Sequence, residues 1–212
     1  MRDETGRADG GGARTVYYLG APLRLEVARS VWRRAAVADG VLRVTLADPA
    51  DASRVEALVA GWFHEQADAL LPRFLAEAAE RYRAHLANAR RPLAPRSAAC
   101  PDGLRLTVRP MRTRWGSCSP DGHITLSVEL LHAPRRLIDY VIVHELCHLV
   151  RLDHSRAYYF HLARCLPDWR QRRHELKERV WERPNRAGGS AALVSAAGSG
   201  YTRAFQCMQE SN

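Results

Sequence analysis

Lysine is almost missing from this chain. Lys177 is the only one, and the other basic residues, 32 with it, are arginines. A codon bias toward arginine and alanine accounts for that substitution. Net charge is +9, but the arginines are scattered among acids and form no aromatic-interleaved basic stripe. Nucleic-acid binding is therefore open on charge but not favoured. No Cys-x-x-Cys pair occurs, and the five cysteines (Cys100, Cys118, Cys147, Cys165, Cys207) are odd in number. That argues against a disulfide framework and for a reducing compartment. No apolar run approaches the roughly 18 residues of a membrane span. The first thirty residues lack the apolar segment of a secretory signal. The expected location is cytoplasmic, with no membrane partner.

What is present suits one domain with tails. The 212 residues are 46% hydrophobic, ordinary for a globular core. Residues 1–14 are polar and Gly-rich, and residues 182–212 are Gly-, Ala- and Ser-rich after Pro184; both are expected to be disordered. Between them, 15–181 reads as a single α+β domain. Short Val/Leu/Tyr segments over 15–47, with turns at Gly20–Pro22 and Asp39–Gly40, predict a small antiparallel β-meander. Ser53 and Glu56 form a candidate capping box for helices over 53–87, which Pro72 should break or kink. Asn88–Gly103, with three prolines, reads as a loop. Alternation over Leu104–Arg109 and His123–Leu130 predicts a hairpin across 104–130. Three helices follow over 134–181, the first opened by Pro134 at its first position, the second running from Ser155 to Leu166.

The chemistry concentrates in His144-Glu145-Leu146-Cys147-His148, an H-E-x-x-H pattern. On a helix turning about 100° per residue, His144 and His148 share one face, a turn apart. Two neutral imidazoles so placed can hold one Zn²⁺, and Glu145 beside them can reach water without ligating the metal. Three protein ligands plus water mark a catalytic zinc site. His154, swung back by a short turn after the helix, is the expected third ligand; Glu175, on the last helix, is the alternative. Leu137, Ile138, Val141, Ile142, Leu146 and Leu149 cover more than one face, so the helix should be central and buried. Its histidines then need a partner inside, which a metal supplies.

Around this motif stand candidates for stabilising the transition state or orienting the ligands. Tyr158, Tyr159, His161 and Arg114 could meet a developing oxyanion. His154, Tyr158 and His161 are expected to share one side. Asp139 could orient a ligand imidazole, or pair with Arg135 or Arg136. Cys147 is read as buried packing rather than a ligand.

Six stretches together, Thr113–Cys118, Gly122–Leu126, Ile138–Val141, His144–Leu149, His154-Ser155 and Pro167-Asp168, resemble the YgjP-like metallopeptidase family. The resemblance extends from about Tyr17 to Leu176. It implies a zincin-type α+β fold, one zinc on His144, His148 and His154, and Glu145 as general base. It also marks Trp115 and Cys118 as packing under the site. The chain departs from the family pattern at Ser127, Asp153 and the pair Tyr158-Tyr159; no ligand or base is lost. Some members of the family are described as nucleotide pyrophosphatases. The expected activity is peptide hydrolysis on a peptide or protein substrate. A nucleotide pyrophosphatase on the same site, or a non-enzymatic zinc- or DNA-associated module, is the alternative.

Overall fold

The computed structural model describes residues 14–88 and 103–179. The expectations of disordered tails, and of most of the proline loop, lie outside these residues. Within them the fold is α+β, with four α-helices and two small mixed sheets. No helix here is long and apolar enough to cross a membrane.

The first sheet contains β1 (Arg14–Tyr18), β2 (Ala21–Arg29), β3 (Arg34–Ala38) and β4 (Val41–Leu46). Its order is β1-β2-β4-β3, and β2 runs parallel to β4, Leu25 opposite Leu42 and Val27 opposite Val44. This corrects the expected antiparallel meander. The Asp39-Gly40 turn does join β3 to β4 as a hairpin, but β4 lies between β3 and β2. The reason is burial: Leu42, Val44 and Leu46 of β4 are almost wholly covered. The Ala-rich β3 has no buried residue and takes the edge, where a strand of small residues loses least. Val31 and Trp32 fall in the β2–β3 connection and are exposed.

The β1–β2 turn fastens this sheet to the metal-motif region. Leu19 and Gly20 donate from their backbones to the carbonyls of Leu131 (2.7 Å) and His132 (3.2 Å). Gly20 has φ +82°, and a Cβ there would lie 2.5 Å from Pro134 Cγ. Only glycine fits both the backbone conformation and the approach.

A single helix, α1 (Ala52–Ala87), replaces the two expected. Its N-cap is Asp51, whose side chain accepts from the Arg54 N–H, so the candidate Ser53–Glu56 box is not used. Pro72 does not break it. Proline deletes the hydrogen bond to the Asp68 carbonyl, but Asp68 and Pro72 are both exposed, where water can serve that carbonyl. Leu71, Phe74 and Leu75 on the buried side hold the helix continuous.

The second sheet corrects the other pairing. β5 (Arg105–Arg109) runs parallel to β7 (His123–Ser127), with Leu106 opposite Ile124 and Val108 opposite Leu126. The hairpin partner of β7 is instead the short β6 (Gly116–Cys118), through the Ser119–Gly122 turn. The order β5-β7-β6 puts the most buried strand in the middle and β6 at an edge. The expected strand to Leu130 ends at Ser127. Its hydroxyl accepts from the Glu129 N–H and caps a 3-10 turn, Val128–His132.

Helix α2 (Arg135–His148) is central, as its all-round hydrophobicity predicts: every residue from Tyr140 to His148 is buried. Pro134 stands at its N-cap, one position before the expected one. α1, α3 (Arg156–Cys165), α4 (Trp169–Glu178) and β6 all pack on α2. Ser155 caps α3, accepting from the Tyr158 N–H.

Candidate metal centre

Because α2 is covered on all sides, its two histidines and Glu145 are buried: His144 is 4% exposed, Glu145 3% and His148 8%. α2 ends at His148, and the following turn brings His154 back beside it. The turn is held by His148 Nδ1, 2.9 Å from the Arg151 carbonyl. That bond puts the proton on Nδ1 and leaves Nε2 with its lone pair for a metal. Asp153 accepts from the Ser155 hydroxyl at 2.9 Å, on either side of His154 in the chain.

The three imidazoles converge. His144 Nε2 and His154 Nε2 are 3.1 Å apart; two nitrogens on one tetrahedral zinc at about 2.05 Å are expected about 3.3 Å apart. Donor atoms of His144, His148 and His154 all lie within 4.8 Å of one another. Burial holds His144 far below the usual histidine range and brings His148 down to about 4; it also lowers His154. Neighbouring imidazoles and the Arg173 charge push His144 further the same way. All three are thus neutral near pH 7, the form that ligates. The residues present fit a zinc ion: three borderline nitrogen donors, desolvated and pre-aimed.

Glu145 faces β6. A Cβ on Gly116 would lie 2.9 Å from Glu145 Oε1 and 3.2 Å from Val141 Cγ1, so glycine leaves the carboxylate its space. Burial raises the Glu145 carboxyl to about 8, with Arg114 pulling it partly back. A carboxyl poised near neutrality beside a metal site is the profile of a proton-transfer group.

A model of the YgjP-like metallopeptidase domain matches residues 5–179. The chain belongs to that family. No curated protein matches it. The solved structure of the metallopeptidase zymogen of Pyrococcus abyssi abylysin is similar over 50% of this chain and 90% of its own, at 22% identity and a TM-score of 0.37. Membership in a metallopeptidase family points to a metal-dependent peptidase.

In this YgjP-like chain the remaining candidates divide. Tyr158 lies at the trio but is fully buried. Its hydroxyl donates to the His144 carbonyl at 2.9 Å, and its ring stacks on His148 at 4.7 Å. Tyr159 stacks on Trp169 at 4.9 Å and approaches His154 at 6.1 Å. Arg114 is exposed, near enough for its charge to act on Glu145. His161 is not with the trio. His154 and Tyr158 do share a side, their rings 4.9 Å apart, but His161 turns toward α1, 2.7 Å from the Tyr82 hydroxyl.

Asp139 does not orient an imidazole. It meets Arg81 of α1, Arg135 at 3.9 Å and Arg172 of α4 at 4.0 Å. Glu175, the alternative ligand, is paired with Arg136 and Gln171, which removes it from the site. Trp115 and Cys118 pack against the core. Two contributors escaped the sequence reading. Arg173 reaches over the Tyr159 ring, 6.0 Å from its centre, and its charge depresses His144 and His154. The Trp169–Arg173 spacing of one helical turn was the available signal. Gly116 was the other.

Proposed function

We propose that this protein is a zinc metallopeptidase in which His144, His148 and His154 hold one zinc and Glu145 is the general base. The carrying observation is the convergence of two buried imidazoles, His144 and His148, and the half-buried His154, with a buried carboxyl beside them. Bound zinc would supply Lewis-acid activation of water and of the scissile carbonyl. Glu145, held between α2 and Gly116, takes the proton from the attacking water and returns it to the leaving nitrogen. Arg114, Tyr159 and Arg173 are the groups from which the oxyanion partner is drawn. Tyr158 keeps the His148 ring in place. The core is of zincin type, and β6, at the sheet edge beside Glu145, is where an extended peptide adds as a strand.

Metal content and hydrolysis measured together test this assignment. Glu145→Gln should keep the wild-type zinc content and lose hydrolysis. His154→Ala should lose one zinc equivalent and hydrolysis together. Wild-type zinc content in folded His154→Ala would show that the third ligand is wrongly assigned.

A further inference from the structure

A second set of ligating side chains lies apart from the H-E-x-x-H trio. His85, in the last turns of α1, faces His161 and Cys165 of α3. Donor atoms of these three all lie within 4.8 Å of one another. His161 is 2% exposed. Its Nε2 is 3.9 Å from Cys165 Sγ, against about 3.6 Å for a nitrogen and a sulfur on one tetrahedral zinc. One nitrogen of the cluster, His85 Nε2, is buried with no hydrogen-bond partner, and a buried orphan of this kind calls for an ion or a water.

The sulfur is placed to ligate: Cys165 is half-buried, with its Sγ beside the buried His161 ring. Thiolate is the metal-binding form, and a mixed imidazole–thiolate set suits zinc. The Tyr82 hydroxyl is hydrogen-bonded to His161 Nε2 at 2.7 Å in the metal-free protein and must yield that nitrogen when an ion binds.

We propose that His85, His161 and Cys165 form a second zinc site that fastens the C-terminal end of α1 to α3. The position of α3 matters to the first site, because its N-cap Ser155 directly follows His154 and its first turns carry Tyr158. A metal here would hold the third histidine of the trio at its distance.

Cobalt(II) substitution of the full-length protein separates the two sites, since only the second contains sulfur. Wild type should take up two cobalt ions per chain and develop near-ultraviolet thiolate-to-cobalt charge-transfer absorption. His154→Ala should lose one equivalent and keep that absorption. Cys165→Ala and His85→Asn should each lose one equivalent and the absorption with it. Wild type saturated with cobalt but without the thiolate band overturns the proposal, whatever the variants do. So does a band that survives in folded Cys165→Ala. Loss of the sulfur-free equivalent in His154→Ala reports on the trio alone, so the two readings fail independently.

Discussion

Replacing Glu145 with glutamine should stabilise the metal-free protein, by an amount that grows with pH. Glu145 is 3% exposed, and its carboxyl titrates at about 8 in the fold against an ordinary 4.5. A group whose folded pKa is raised keeps its proton in the fold while the unfolded chain loses it. Its contribution is therefore fully favourable below about 4.5 and declines as pH rises toward about 8. Integrated over that window, the ionisable glutamate costs about 0.8 kcal/mol at about pH 5 and about 4 kcal/mol at about pH 8. Glutamine has the same shape and no titration, so the variant gains the difference. The three histidines act in the opposite sense. Their depressed values lower stability as pH falls through about 6.5, equally in both proteins, and cancel in the comparison. Urea unfolding with a chelator present, followed by tryptophan fluorescence across about pH 5 to 8, measures the stability gap. A gap that opens by about 3 kcal/mol over that range supports the buried carboxyl as described. A gap flat with pH would refute it, because a solvated glutamate gives no such slope.

Gly116→Ala should keep the metal yet lower kcat at least tenfold, since the new methyl meets Glu145 Oε1 at 2.9 Å and the mobile carboxylate end gives way; unchanged kcat would show that Glu145 is not held there. Tyr158→Phe should cost about 1 kcal/mol of stability, the worth of one buried hydrogen bond, with kcat changed only a few-fold. A loss near 10²-fold with unaltered stability would instead make Tyr158 the oxyanion donor. Asp139→Ala should destabilise by only about 0.5–1 kcal/mol, chiefly through Arg81, because Arg135 keeps Glu77 and Arg172 keeps Asp168. Its zinc content should equal wild type; reduced zinc at full folding would restore Asp139 as a ligand-orienting residue.

What the sequence conveyed follows the range of the interactions involved. The H-E-x-x-H spacing fixes two ligands within one helical turn, and Ser155 caps α3 three residues before its partner Tyr158 N–H, so both could be read locally. The Asp39-Gly40 hairpin is equally local. The order of strands was not legible, because β2 and β4 pair across an intervening strand that periodicity cannot see. Pro72 misled because the rule concerns a lost hydrogen bond, whereas Leu71, Phe74 and Leu75 decide the helix through tertiary burial. Asp51 and Ser53 both qualify as caps, and two residues of spacing do not separate them. Asp139 finds its acid-base partner in Arg81, 58 residues earlier. His161 parts from His154 and Tyr158 because it pairs with Tyr82 of α1, 79 residues earlier, a contact that helical spacing does not reveal.

The central claim is that this site hydrolyses peptides through Glu145. Its most direct test is product release by purified wild type and Glu145→Gln, side by side, on a mixed peptide pool and on nucleoside triphosphates, read by mass spectrometry. New peptide termini are expected with wild type only, and intact nucleotides with both. Nucleoside monophosphate released by wild type alone, with the peptides uncut, would contradict it and make the same site a pyrophosphatase.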